Sequence, residues 1–138
     1  MEFENEGLTW DERLAGCQQA IGVRFEDLEI LRRCLTHSST APTRLESNER
    51  LEFLGDAVLG LVVCDYLFQT FPERSEGEMT RIKSSVVSRT TCAEVCLELG
   101  LEQFLNLGKG LVRGTGSSST IPSSILAAAL EALIAGVY

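Results

Sequence analysis

Apolar residues recur along most of this chain at intervals of three and four positions, the spacing of helices that bury one face. The alternation of β-branched residues that is typical of strands is absent from the sequence. The pattern predicts an all-α fold of roughly five to seven helices arranged around a long one at 48–71. The other predicted helices lie at about 10–21, 25–35, 76–86, 91–99 and 125–138, with a short turn or helix at 101–107.

Polar residues at the expected helix starts support these boundaries. Thr9 with Glu12, and Ser75 with Glu78, have the three-residue spacing of capping boxes, in which each side chain accepts the backbone N–H of the other residue. A segment rich in glycine and serine at 114–120 is expected to be a loop.

The long helix at 48–71 begins with acidic residues and continues as a nearly unbroken apolar run. Glu49, Glu52 and Asp56 stand at i, i+3 and i+7, so their carboxylates share one stripe of the helix. Because a helix that is apolar on nearly every side is normally buried, we expect these carboxylates to lie where little water reaches them. A hard cation such as Mg²⁺ would offset the repulsion between the acids. A solvated first turn stabilised by the helix dipole is an equally good interpretation of the spacing.

The last helix, at 125–138, is apolar on every side except at Glu131. A lone carboxylate on a buried helix is costly unless it is paired or binds a metal. We therefore expect Glu131 to face Glu52 and Asp56 across the bundle and to complete a metal site. The alternative is a glutamate at the edge of the helix that reaches solvent.

Size and composition indicate one soluble globular domain. The chain has 138 residues, of which 44% are hydrophobic and 23% are charged. The net charge of −8 disfavours nucleic acid, unless cations neutralise some of the acids or basic residues cluster locally. Arg81, Lys83 and Arg89 form the one basic cluster, which is a possible RNA contact and equally well a solvated helix face.

The cysteines and the first residues favour a cytoplasmic protein. Five cysteines and one histidine, without a Cys-x-x-Cys pair, do not match a zinc site. An odd cysteine count without a secretory leader indicates a reducing cytosol. The acidic beginning of the chain differs from signal and transit peptides. The most apolar stretch, 125–138, is shorter than the roughly 20 residues that a membrane helix needs.

Four segments resemble one known family. NERLEFLGDAVL at 48–59 closely resembles the signature of the ribonuclease III family, endonucleases that cut double-stranded RNA. LTHSS at 35–39, PERSEGEMTRIK at 72–83 and ILAAALEALI at 125–134 are similar to other segments of that family. The resemblance covers about 25–138, and the whole chain is identified as one catalytic domain of the bacterial type, without the family's double-stranded-RNA-binding domain.

The resemblance implies a homodimer that cleaves both strands of an RNA duplex, in the processing of ribosomal or messenger precursors. It implies Mg²⁺, replaceable by Mn²⁺, which activates a water, stabilises the leaving oxygen and gives 5′-phosphate products. By their places in the motifs, Glu52, Asp56 and Glu131 would be metal ligands, Asp56 and Glu131 also catalytic, and Glu49 and Glu76 a secondary acidic cluster. His37 is interpreted as a structural residue that holds a loop by hydrogen bonds, in preference to a general base.

Ala128 departs from the pattern of the family. The family normally has an aspartate there, three residues before Glu131 and on the same helix face. The loss of one of four core carboxylates is expected to weaken metal binding and to reduce cleavage strongly. It also removes charge repulsion, which favours the stability of the fold.

Two other functions fit the sequence. With Ala128, the chain could be an inactive pseudo-enzyme that dimerises and binds duplex RNA without cutting it. The acids alone, Glu-x-x-Glu on one helix and a further acid on another, also fit an all-α nucleotide pyrophosphatase. Cleavage of a duplex by the chain and by its Ala128→Asp variant tests the first alternative, and release of pyrophosphate from a nucleoside triphosphate tests the second.

Overall fold

The computed structural model describes residues 7–111 and 121–138. The prediction of an all-α fold is confirmed: over these residues the backbone forms helices and one isolated parallel bridge between Thr36 and Asn106. The α-helices are α1 (Trp10–Ile21), α2 (Leu28–Cys34), α3 (Glu49–Thr70), α4 (Glu76–Val86), α5 (Arg89–Glu98) and α6 (Ser123–Val137). Two 3₁₀ turns lie at Arg44–Glu46 and Leu101–Phe104. The loop predicted at 114–120 lies outside the described residues.

Both predicted capping boxes are present. At the start of α1, the Thr9 hydroxyl accepts the backbone N–H of Glu12 at 3.2 Å, and the Glu12 carboxylate accepts the N–H of Thr9 at 2.8 Å. Ser75 and Glu78 repeat the arrangement at the start of α4. These contacts are local in sequence, so they define where the helices begin without help from the rest of the fold.

The centre of the described fold is α6. This helix packs against α2, α3 and α5, and seven of its 15 residues are buried. Four of the seven are alanines, and such small side chains let neighbouring helices approach closely. The prediction that the other helices surround the one at 48–71 is therefore wrong for the single chain, since α3 buries only Gly55 and Leu67.

One face of α3 is apolar and exposed. Phe53, Ala57, Leu61, Cys64 and Phe68 follow one another along it at intervals of three and four residues, and we call them the α3 stripe. Phe53 is 83% exposed and Phe68 is 72% exposed. The expectation that this helix is buried on nearly every side is wrong for one chain, because the neighbouring helices leave this face uncovered. Within the described ranges, no helix is both long enough and apolar enough to cross a membrane.

Candidate metal centre

The acidic residues of α3 and α6 come together where the two helix backbones touch. A β-carbon added to Gly55 would overlap the backbone carbonyl of Glu131, so only a glycine allows this approach. Glu52 precedes Gly55 by about one helical turn, and Asp56 follows it directly. The contact between the backbones therefore places the carboxylates of Glu52 and Asp56 beside Glu131, the acidic residue of α6.

The pKa values of these groups show that they act on one another. Burial, together with the charges of Asp56 and Glu52, raises the pKa of Glu131 to about 7, while the charge of Arg89 acts in the opposite direction. Burial also raises the pKa of Glu52, as do the neighbouring charges of Glu49 and Asp56, against the opposing effect of Arg89. The structure therefore brings Glu52, Asp56 and Glu131 close enough to repel one another in a partly desolvated place.

A thiol borders the same group of acids. Cys92 lies on α5 and is 3% exposed. Its pKa is raised first by burial and then by the charges of Glu131 and Asp56. The thiol therefore stays protonated beside the carboxylates. It packs there as a small apolar side chain and does not act as an anionic ligand.

These acids fit a divalent cation by charge and by donor chemistry. Carboxylate oxygens are the ligands that Mg²⁺ and Mn²⁺ prefer. Burial and then the charges of Asp56 and Glu52 raise the pKa of Glu131, and a cation would relieve the repulsion between these charges. Over residues 7–111 and 121–138, no three acidic, histidine or cysteine side chains already stand in a ligating arrangement. A shared ion would therefore require the carboxylates to rotate towards it.

Ala128 borders an open depression next to the same acids. The depression has a volume of about 210 Å³. Its lining residues are His37, Ser38, Asn48, Glu49, Glu52, Ser124, Ile125 and Ala128. Ala128, where the family has an aspartate, therefore lines the same depression as Glu49 and Glu52.

Asn48 anchors the start of α3, a role that the sequence reasoning missed. It is 4% exposed, its Nδ2 donates to the carbonyl of Cys34 at 3.2 Å, and its backbone N–H donates to the carbonyl of Thr36 at 2.9 Å. The neighbouring Ser47 hydroxyl accepts the backbone N–H of Glu49 at 3.2 Å. These bonds tie the first acidic turn to the end of α2. The available signal was a polar Asn directly before the acids, inside the motif itself.

The remaining predicted residues lie at different distances from this centre. Glu76 opens α4 and lines another groove, together with Leu61 and Lys83, so one chain does not bring it to Glu49 and Glu52. The Lys83 side chain lies along Gly60. Arg81 is exposed on α4. Of the three predicted basic residues, Arg89 is the one whose charge acts on Glu52 and Glu131.

His37 holds its loop by hydrogen bonds, as the sequence predicted. Its Nδ1 accepts the backbone N–H of Ser39 at 3.1 Å and lies 2.8 Å from the Ser39 hydroxyl. Burial lowers the pKa of His37, while the nearby Glu49 carboxylate acts in the opposite direction. The imidazole also lines the depression that Ala128 borders.

Comparison with known proteins identifies relatives of this chain. A family model described as Ribonuclease-III-like matches residues 27–138. Ribonuclease 3 of Rhodopirellula baltica is 50% identical over 126 residues, which are 91% of this chain and 46% of that protein. Ribonuclease 3 of Thermobifida fusca is 47% identical over 123 residues, or 88% of this chain and 50% of that protein. The chain thus spans about half the length of these relatives.

Solved structures show the same fold. The nuclease domain of the ribonuclease III of Campylobacter jejuni superimposes with a TM-score of 0.78 at 32% identity, covering 90% of this chain and 83% of that one. Dicer from Pichia stipitis gives a TM-score of 0.58 at 28% identity, covering 81% of this chain and 45% of that one.

Proposed function

Because this chain belongs to the ribonuclease III family, we propose that it is a divalent-metal-dependent endonuclease that cleaves double-stranded RNA. The observation that carries the proposal is the contact of Gly55 with Glu131, which gathers three mutually repelling carboxylates at one place. A net charge of −8 argues against binding RNA unless such acids are neutralised by bound cations.

Glu52, Asp56 and Glu131 would hold the ion, with Asp56 and Glu131 nearest to the reacting groups. A bound divalent ion lowers the pKa of a coordinated water and stabilises charge on phosphate oxygens. With a pKa of about 7, the Glu131 carboxyl must lose its proton before it can bind a cation, so binding of the ion releases a proton. Arg89 keeps part of the acidic charge compensated until then.

Glu49 and Glu76 complete the proposal as outer acids, each of which would orient waters or a further ion at its own place. Glu49 lies on the depression beside Glu52, whereas Glu76 lies on the groove between α3 and α4. Among the predicted RNA contacts, Arg89 is supported by its place beside the acids, and Arg81 and Lys83 by charge alone.

Ala128 reduces this activity in our proposal. A methyl group at the edge of the depression cannot ligate a cation, so the ion is held by fewer charges. The test is cleavage of a long RNA duplex in Mg²⁺ and in Mn²⁺, with analysis of the product ends, by the chain and by Ala128→Asp. We expect slow cleavage to 5′-phosphate ends and faster cleavage by the variant. Equal rates would contradict the impairment.

The same assay separates the alternatives. Duplex binding without any cleavage by the chain, restored by Ala128→Asp, would identify an inactive RNA-binding form. Release of pyrophosphate from a nucleoside triphosphate, with no cut in the duplex, would identify a pyrophosphatase. The predicted substrate, a ribosomal or messenger precursor, would be tested by following precursor lengths after depletion of the protein. The predicted cytosolic location would be tested by cell fractionation.

The homodimer predicted from the sequence forms part of this proposal, and the α3 stripe is its expected interface. The C. jejuni nuclease domain is described as having a region involved in dimer formation. In this chain, Phe53, Leu61 and Phe68 are 83%, 65% and 72% exposed, which leaves a continuous apolar surface for a second copy.

A charge on the α3 stripe tests the dimer. We expect Leu61→Glu to convert the protein to a monomer in size-exclusion chromatography with light scattering, because the partner would have to bury an unpaired carboxylate. Leu97→Glu is the matched control, since Leu97 is an exposed leucine of α5 away from the stripe. If both variants keep the mass of the parent, the stripe is not the interface.

A further inference from the structure

The loop that carries His37 is fixed to a distant segment of the chain. The backbone N–H of His37 donates to the carbonyl of Asn106 at 3.1 Å, and the Thr40 hydroxyl donates to the carbonyl of His37 at 3.2 Å. The backbone N–H of Gly108 donates to the Ser39 hydroxyl at 2.8 Å. These hydrogen bonds therefore fix the backbone position of His37, and with it the position of the imidazole.

These bonds also determine which ring nitrogen carries the proton. The backbone N–H of Ser39 is a donor, so Nδ1 must be the acceptor, and the neutral imidazole is protonated at Nε2. The Ser39 hydroxyl accepts from Gly108 and can direct its own hydrogen to Nδ1 as well. Nε2–H has no acceptor within the part of the chain that the structure describes, and it is the donor that the ring can offer to a ligand.

A donor and an acceptor face the depression together. His37 and Glu49 both line it, and the charge of Glu49 acts on the imidazole. One oxygen of the Glu49 carboxylate lies 3.4 Å from the exposed guanidinium of Arg44, which leaves the second oxygen available. Beside two carboxylates, a phosphate group would be repelled, whereas a neutral hydroxyl that both accepts and donates would be bound.

We propose that His37 Nε2–H and the Glu49 carboxylate bind one ribose 2′-hydroxyl of the duplex, which makes His37 a residue that determines specificity for RNA over DNA. The hydroxyl accepts from His37 and donates to Glu49. The 2′-hydroxyl is the group that distinguishes RNA from DNA at a given site. This inference rests on the proposed function, since it requires that a duplex lie across the acidic centre.

Two variants of His37 separate this role from the structural one. His37→Asn retains an acceptor close to the position of Nδ1 and lacks a donor at the position of Nε2, whereas His37→Gln can place an amide N–H near the position of Nε2. Substrates are an all-RNA duplex and a set of duplexes with one 2′-deoxynucleotide at each position around the cut. Rates of cleavage in Mn²⁺ are compared for the chain and for the same variants combined with Ala128→Asp.

We expect one 2′-deoxy position to lower kcat/KM of the parent by about tenfold to thirtyfold, because it removes both hydrogen bonds of the hydroxyl. His37→Asn is expected to lose part of that factor on all-RNA, about threefold to tenfold for one hydrogen bond. It should respond to that deoxynucleotide correspondingly less than the parent does, because Glu49 still accepts from the hydroxyl. His37→Gln is expected to discriminate better than His37→Asn and less well than the parent. Thr40→Val disturbs the same loop without touching the ring, and it should discriminate as the parent does.

Each outcome decides the question. If the parent is sensitive to no single 2′-deoxynucleotide, or if His37→Asn discriminates as well as the parent, the role of His37 is refuted while the nuclease assignment stands. The substrate scan on the parent needs no variant, so it can refute the role even if His37→Asn does not fold, and His37→Gln then supplies the comparison that assigns the effect to His37. If neither the chain nor Ala128→Asp cuts any duplex, the proposed function fails and this inference fails with it.

Discussion

Replacing the carboxyl of Glu131 with an amide should stabilise the metal-free protein, and only at high pH. The pKa of Glu131 is about 7 in the fold, against 4.5 for an ordinary glutamate. Because the folded state holds this proton more tightly, the unfolded chain releases it first as the pH rises. The free energy of unfolding is therefore undiminished by Glu131 below pH 4.5. It falls as the pH rises from 4.5 to 7 and stays lower above pH 7.

The size of the effect follows from the same two values. A gap of about 2.5 pH units corresponds to about 3.4 kcal/mol for a fully desolvated group. The carboxyl of Glu131 is only partly buried, so screening by solvent reduces this to roughly 1–2 kcal/mol. Glu131→Gln is neutral at every pH and has nearly the same shape, so it should gain that amount over the parent at pH 8 and little at pH 4.5.

Urea denaturation in EDTA at pH 4.5 and at pH 8, at one protein concentration, measures the difference. Adding Mn²⁺ at pH 8 should reverse the order, because the ion binds the three carboxylates of the parent more tightly than the two that remain in the variant. Glu98→Gln, at an exposed position of α5, is the control and should show neither effect. A gain of the same size at both pH values, or no gain at pH 8, would refute the claim that Glu131 is strained by burial and by its acidic neighbours.

Three further predictions concern packing and charge around this centre. Gly55→Ala should destabilise the protein by about 1–3 kcal/mol because its methyl group meets the Glu131 carbonyl, whereas Gly77→Ala, with open space around it, should gain about 0.5–1 kcal/mol in urea denaturation. Asn48→Ala leaves the buried carbonyl of Cys34 unpaired and should cost about 1–3 kcal/mol in the same assay, while the exposed Gln69→Ala should change stability by less than about 0.5 kcal/mol. Ala128→Asp should lower the melting temperature in EDTA at pH 8 and raise it in Mn²⁺, because a further carboxylate joins Glu49 and Glu52. A lower melting temperature in both media would contradict its role as an added ligand.

The elements that the sequence predicted well are those determined locally. Thr9 and Ser75 cap their helices through residues three positions away, so neither depends on tertiary contacts. The approach of Glu131 to Glu52 and Asp56 was inferred from the cost of an isolated carboxylate on an apolar helix, and the pKa values support it. Spacing alone contained no information on the contact at Gly55 that enforces this approach.

The central position of α6 could not be predicted, because hydrophobicity on all sides says that a helix is covered and not by what. The same pattern describes α6, which its own chain covers, and α3, whose stripe is left exposed. Asn48 was missed for a related reason: a buried polar residue is invisible to periodicity when its partners are backbone carbonyls from another helix. Both errors concern which surfaces meet, a property of the whole fold.

The two faces of α3 place the acidic centre and the α3 stripe on one rigid element. Glu52 and Asp56 lie on the side that meets α6, while Phe53 and Ala57, the next residue in each case, belong to the stripe. A second copy seated on the stripe would therefore fix the distance between two acidic centres through the helix backbone alone, without a loop between them. For an enzyme that cuts both strands of a duplex, that distance determines the offset between the two cuts. Changes in the stripe that keep the dimer but alter its packing should therefore shift the offset between the cuts before they abolish cleavage.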